Sequence, residues 1–319
     1  MTPPTLNDIY AARQRLEPHV RPTPLLKHPL LDEATGLSIW VKHENHNPTC
    51  AFKVRGGLNL VQSLTNEEKV RGIVTASTGN HGQSIGWASR LNGVACTVFV
   101  PVDNNPEKNA AIRAFGATVE EIGTDFDEAR EACERRAAET GARYVHSANE
   151  PHLIAGVGTY ALEVFEQQPA ADVVLVAIGG GSGACGLITV RNALGAKTRI
   201  IGVGAANADA VEKSWRGAAR VVGSSANTFA EGLATRVTFD LTFDLLKQHL
   251  DDFVLLTEDE LADGVRLALR TTHNLAEGAG SASMAAAVKM KDQLAGQRVV
   301  CIMSGGNLDQ AKLKWILGC

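Results

Sequence analysis

From Gly72 onward the chain repeats one pattern: a short apolar run, a turn, then a stretch with helical spacing. The runs are Gly72–Ala76, Ala95–Val100, Ala117–Ile122 and Arg143–His146, with helical stretches between them. One of these follows the Gly79–Gly82 turn through Leu91. Another starts at Pro106, a residue suited to a first helical turn. A third spans Phe126 to Thr140 and stops at Gly141. Strands that alternate with helices join in parallel through right-handed crossovers, so the pattern predicts a doubly wound α/β sheet. A second series begins at Asp172–Ile178 and continues through Arg199–Val203 and Gln297–Met303. With 319 residues, 45% of them hydrophobic, the chain can bury a sizeable core as one large domain or two modest ones. Outside the repeat, Leu37–Val41 reads as a buried strand. A helix is expected from about Thr5 to Leu16, with Asn7 or Asp8 as its cap. Another is expected from Glu258 to Thr271, behind a capping box of Thr257 and Glu260.

The net charge of −4 and the lack of a basic run argue against nucleic acid and anionic membranes as partners. Aromatic residues are only 5%, too few for platforms that stack single strands. The six cysteines form no Cys-x-x-Cys pair and read as reduced thiols. The first residues lack the basic and apolar regions of a secretory leader, and no apolar run approaches membrane-spanning length. A soluble cytoplasmic protein is expected.

Four stretches carry candidate chemistry. In Glu44–Gly57, Asn47-Pro48 breaks the preceding strand, and helical spacing runs from Phe52 to Leu64. Lys53 therefore sits at a loop-to-helix junction. A lysine desolvated there has a lowered pKa and becomes a nucleophile; a lysine snorkelling along a helix face is the plainer alternative. Gly179-Gly180-Gly181-Ser182-Gly183 lies between a buried strand and a helical stretch, where backbone N–H groups and a helix N-terminus favour an anion. It lacks the Lys-Ser/Thr of a Walker A loop. Gly181, Gly183 and Gly186 match G-x-G-x-x-G, but the next strand has no acidic partner. Ser77-Thr78-Gly79-Asn80-His81-Gly82-Gln83 and Ser304-Gly305-Gly306-Asn307 are the other two. On residues alone Asn80 reads as a turn or cap asparagine, Ser304 as a strand-end serine and Glu277 as a capping carboxylate.

Taken together, these four stretches resemble the serine/threonine dehydratase and serine racemase family, and the likeness extends from Arg21-Pro22-Thr23-Pro24-Leu25 to Asn307. The resemblance implies a fold-type II, tryptophan-synthase-β-like pyridoxal-phosphate enzyme. Its two doubly wound parallel-sheet domains would be a discontinuous large one, 1–68 with 151–319, and a small one, 69–150, with the cofactor in the cleft between them. It implies that Lys53 carries the cofactor and acts as the base at Cα, and that Phe52 packs beside the ring. Gly179, Gly180, Gly181, Ser182 and Gly183 would form the phosphate cup, with Ser182 where relatives usually have glycine. Asn80 would contact the phenolic oxygen and Ser304 the pyridine nitrogen. Glu277-Gly278 would be an acidic turn near the cofactor and Glu231-Gly232 a similar one. Ser77, Thr78, Gly79, Asn80 and His81 would hold the substrate carboxylate through backbone donors and hydroxyls. A serine at position 304 leaves the ring a weaker electron sink than an aspartate would, which suits prompt β-elimination better than transamination.

The implied reaction is loss of water from a 3-hydroxy amino acid of the threonine, serine or threo-3-hydroxyaspartate type, giving a 2-oxo acid and ammonia. A racemase, or a lyase of another β-substituted amino acid, is the alternative. Thr78 stands where serine racemases place a second proton donor. Two carboxylates that bind Mg²⁺ or Ca²⁺ in many relatives are replaced by Gly204 and Ala210 around Asn207-Ala208-Asp209, so no metal is expected there. Ala51 replaces a frequent serine. The chain stops twelve residues past Asn307, which leads to the expectation of a short, catabolic-like form without an appended regulatory domain. A homodimer is the family expectation.

Overall fold

The computed structural model describes residues 1–319. In chain order the first half contains α1 (Leu6–Leu16), β1 (Leu25–Lys27), α2 (Pro29–Thr35), β2 (Ser38–His43), α3 (Lys53–Ser63), α4 (Asn66–Arg71), β3 (Ile73–Ala76), α5 (Asn80–Asn92), β4 (Cys96–Val100), α6 (Pro106–Ala114), β5 (Thr118–Glu121), α7 (Phe126–Thr140), β6 (Arg143–Tyr144) and α8 (Pro151–Gln167). The second half contains β7 (Val173–Ala177), α9 (Ser182–Leu194), β8 (Arg199–Ala205), α10 (Ala210–Arg216), α11 (Asp240–His249), β9 (Asp252–Leu256), α12 (Glu258–Thr272), α13 (Gly278–Lys289), α14 (Lys291–Leu294), β10 (Arg298–Met303) and α15 (Gln310–Leu317).

The strands form two sheets. One has the order β1-β2-β10-β7-β8-β9 and the other β5-β4-β3-β6. All pairings are parallel except that of β1 with β2. The α/β class and the doubly wound parallel architecture expected from the alternating pattern are thus present. Two strands go beyond that expectation. β1 has three residues and lies half-exposed at an edge, and β9 opens on an aspartate, so neither makes a continuous apolar run. The cap of α1 corrects the reading, since neither Asn7 nor Asp8 is the N-cap. Thr5 caps α1, its hydroxyl accepting from the Asp8 N–H, and Asp8 reaches back to the Thr5 N–H, so Asp8 is the third helical residue of a capping box. The Thr257–Glu260 box on α12 is present as expected.

The core follows the layers. One apolar cluster lies under α12 and α13 on the first sheet, and a second lies under α8 and α9 on its other face. A third joins Val54, Leu58, Leu60 and Val61 of α3 to Ile85 and Ala88 of α5 and to Val98 of β4. Helix α3 thereby completes the core of the second sheet. It also crosses α8 backbone to backbone: a Cβ on Gly156 would lie 2.3 Å from the Arg55 carbonyl oxygen, and one on Gly56 2.9 Å from that of Leu153.

All six cysteines are free, with Cys96, Cys133, Cys185 and Cys301 buried. Cys50 is exposed and has φ +53°, a left-handed conformation that costs an L-residue about 1–2 kcal/mol. Its backbone is fixed there, because the Cys50 N–H donates to Asn47 O and its carbonyl accepts from the Gly306 N–H at 2.8 Å. Cys50→Gly should remove that strain at the cost of a more flexible unfolded chain. The net gain is about 0.5–1 kcal/mol, and a thermal melt should rise by about 1–2 °C.

Candidate active site

The turns that follow the parallel strands β3, β7 and β10 carry the candidate residues, and hydrogen bonds among Asn80, Glu277 and Asn307 and between Lys53 and Ser182 bring them together, as expected at the carboxyl ends of such strands. Lys53 opens α3, whose N-cap residue, Phe52, offers no side-chain cap. Three contacts fix this first turn. The Phe52 N–H donates to Ser304 O at 3.0 Å, the Ser84 hydroxyl of α5 donates to Lys53 O at 2.7 Å, and Arg55 is anchored below. The Lys53 amine points inward and donates to Ser147 O at 2.9 Å and to the Ser182 hydroxyl at 3.3 Å. Burial lowers its pKa from the usual 10.5 to about 8, so a usable fraction of neutral amine exists near neutrality. This is the desolvated lysine, not the snorkelling one.

Ser182 and Gly183 open α9 behind Gly181, which has φ +92°. No N–H from Gly179 to Ala184 donates to a protein acceptor. These unspent donors converge at the positive end of a 13-residue helix, beside Lys53. The glycines are required by their neighbours: a Cβ would lie 2.2 Å from Gly232 O at Gly179 and 2.6 Å from the Ala148 Cβ at Gly180. The Gly183 carbonyl is held by the Tyr160 hydroxyl at 2.8 Å, and Tyr160 in turn meets the Phe52 ring edge-on.

The second loop leads into α5, also of 13 residues. Ser77 serves the loop itself, its hydroxyl accepting from the N–H groups of Gly79 (3.2 Å) and Gly82 (2.9 Å). The Gly79 N–H is therefore spent, and the free backbone donors are those of Thr78, Asn80 and His81. The Thr78 side chain is half-buried and its hydroxyl has no protein partner. The His81 ring is buried with Nε2 3.0 Å from the Thr75 hydroxyl, and burial holds its pKa well below 6.5.

Asn80 does not cap α5. Its Nδ2 donates to Glu277 Oε1 at 2.7 Å, and its Oδ1 accepts from Asn307 Nδ2 at 2.8 Å. Glu277 does not cap α13 with its side chain either. Burial raises its carboxyl to about 7, against the opposing pull of Lys108 and the Asn80 hydrogen bond. Asn307 and Ser84 are site residues that sequence reasoning did not single out. Asn307 stands within a recognised motif, whereas Ser84 carries no signal. Glu231, at the turn beside Gly179, is bridged by Lys108 of α6 and by Lys312 of α15. Ser304 is buried, and its hydroxyl donates to Ala279 O at 3.2 Å. It presents a neutral group, not a carboxylate, at the end of β10.

At Gly204 a Cβ would lie 2.9 Å from the Phe253 ring, so the space a glutamate side chain would need is filled. Ala210 is buried and Asp209 pairs with Lys213 at 2.9 Å. No helix is long and apolar enough to cross a membrane.

The residues fit a phosphorylated aldehyde cofactor: a desolvated amine, a glycine turn with unspent N–H groups at a helix N-terminus, and a buried neutral hydroxyl at Ser304. Comparisons with known proteins agree. Residues 16–305 match the family described as pyridoxal-phosphate dependent enzyme. The chain is 38% identical to L-threonine ammonia-lyase of Thermotoga maritima, over 96% of this chain and 76% of that protein. It is 33% identical to beta-hydroxyaspartate dehydratase of Paracoccus denitrificans, over 98% and 99%. A solved structure of a threonine deaminase from T.th. superposes with a TM-score of 0.90 at 33% identity, covering 96% of this chain and 99% of that one. The chain belongs to the pyridoxal-phosphate dependent enzyme family.

Proposed function

We propose that this enzyme eliminates water from a 3-hydroxy amino acid and releases a 2-oxo acid and ammonia. The observation that carries the reading is the Lys53 amine beside the N-terminus of α9, on a turn that α5 also holds, with unspent N–H groups at both helix N-termini. One terminus, at α9, suits the cofactor phosphate, and the other, at α5, suits the substrate carboxylate. Bound pyridoxal phosphate supplies the electron sink that lets the Cα–H bond break. Lys53 moves the proton at Cα. The N–H groups of Thr78, Asn80 and His81 orient the carboxylate. Asn80, steadied by Glu277 and Asn307, and the neutral Ser304 hydroxyl would hold the cofactor ring by hydrogen bonds, and an uncharged partner at Ser304 would leave the ring a weaker electron sink. Phe52 lines the ring. The division into residues 1–68 with 151–319 and residues 69–150, with the cofactor between them, belongs to the same proposal, as do a homodimer and a cytoplasmic location.

The relatives named above act on threonine and on β-hydroxyaspartate, which supports a substrate with a β-hydroxyl. The test is 2-oxo-acid release from serine, threonine, threo-3-hydroxyaspartate and phenylserine, with EDTA present throughout. Release from one of them, undiminished by EDTA, is expected. A coloured enzyme that releases none would refute the elimination for this panel. The unpartnered Thr78 hydroxyl favours a secondary racemase activity; Thr78→Ala should then lose racemisation while keeping elimination, measured by chiral chromatography.

The lysine sets a pH dependence. Above about 8 the amine is neutral and nucleophilic, and below that it is protonated. Cofactor uptake by the apo-protein should therefore quicken roughly tenfold per pH unit as pH rises towards 8 and level off above it. The absorbance change on mixing with pyridoxal phosphate reports it, and a rate that fell as pH rose would contradict this assignment of Lys53.

A further inference from the structure

Directly beneath the lysine turn lies a sealed set of four charges. Arg55, two residues after Lys53, donates to Glu44 through Nε at 2.7 Å and Nη2 at 2.9 Å, and to Glu163 through Nη1 at 2.7 Å and Nη2 at 2.9 Å. Lys42 donates to Glu163 at 2.6 Å. The remaining valences are also filled: Thr23 and Asn47 donate to Glu44, and Thr159 accepts from Arg55. Lys42 and Glu44 have no exposed surface, so no substrate reaches them. Burial pushes the Glu44 carboxyl up, but the Arg55 charge and hydrogen bonds outweigh it and hold it below its usual value.

Such a set is a poor device for stability, since buried charges repay little more than their desolvation. It is a good device for position. The apolar face of α3 packs without directional preference, and its glycine crossing with α8 has no side chain to lock it. A planar guanidinium gripped in two forks from the end of β2 and from α8 allows one rotation and one height of the helix. The two positive and two negative charges also cancel, so Lys53 stands beside a balanced group. Consistent with this, burial is the cause of its lowered pKa.

We propose that Arg55, held by Glu44 and Glu163, is a positioning residue that sets the register of α3 and so the place and proton affinity of the Lys53 amine; this rests on the reading of Lys53 as the cofactor-bearing lysine. Two substitutions in the full chain separate its parts. Glu44→Gln keeps the volume but leaves one uncancelled positive charge near Lys53. Arg55→Lys keeps the charge but loses both forks. In each, kcat should fall by about tenfold or more with KM within about threefold, as for a misplaced catalytic group. In Glu44→Gln alone, the pH midpoint of cofactor uptake by the apo-protein should move down by about half a unit, because a positive neighbour disfavours the protonated amine. Should Arg55→Lys not fold, Glu163→Gln, which keeps the Arg55–Glu44 fork but also leaves one uncancelled positive charge, repeats the rate and pH-midpoint tests of Glu44→Gln. Rates that fall only in step with a lowered melting temperature, together with an unmoved pH midpoint in Glu44→Gln, overturn the proposal, as do wild-type rates in folded variants. Failure of the underlying reading looks different: wild type and Lys53→Ala would then take up cofactor with the same absorbance change.

Discussion

Lys53→Ala should abolish 2-oxo-acid release, by about 10³-fold or more, because in the proposed function one side chain would supply both the covalent anchor and the base. The variant should remain folded. Lys53 makes no ion pair, its two hydrogen bonds go to Ser147 O and the Ser182 hydroxyl, and the backbone of its turn is fixed by Ser304 and Ser84. The proposed phosphate cup at Gly179–Gly183 is untouched, so the variant should still hold the cofactor non-covalently, with an unshifted free-aldehyde spectrum. Turnover assays and an absorbance scan check both parts. Retained turnover would remove Lys53 from the chemistry.

The second large effect is on stability. Arg55→Ala strands Glu44 and Glu163 without their principal partner inside the protein. Breaking a buried pair in this way costs about 3–5 kcal/mol, and the melting temperature should drop by about 5–10 °C. If Lys42, Glu44, Arg55 and Glu163 are all replaced by apolar residues of similar volume, much of that stability should return, since no charge then lacks a partner. The rate should not return with it. Differential scanning calorimetry beside a turnover assay distinguishes the two. A fully charged wild type no more stable than the Arg55→Ala protein would mean that the quartet is solvated in solution.

What can be read in advance, and what cannot, follows from the range of the interactions. β7 and β10 are buried on both faces and therefore appear as uninterrupted apolar runs. α7 carries a cap at each end and its bounds are legible to the residue, with Gly141 at φ +70°. The glycine turn before α9 and the loop-to-helix junction at Lys53 are legible because glycines and a Pro-broken strand mark them locally. β1 and β9 escape the pattern because short edge strands carry little of it. Glu163 is invisible because a glutamate within a helical stretch looks like a solvent-facing residue until α8 is packed against α3. Asn80 and Glu277 each have an ordinary local explanation as a cap. That explanation fails only when residues 197 positions apart meet at 2.7 Å.

The packing of α3 bears on autonomy of folding. Its apolar side completes the core beneath α5 and β4, although its residues precede the 69–150 segment, and its charged side is tied to β2 and α8. A fragment cut at 69 and 150 would have all four strands of its sheet yet leave Ile85, Ala88 and Val98 short of the partners that cover them. Such a fragment should therefore fail to fold on its own, which circular dichroism of the isolated segment would check. The lysine turn sits on the element that both halves need, so the site exists only once the whole chain has folded.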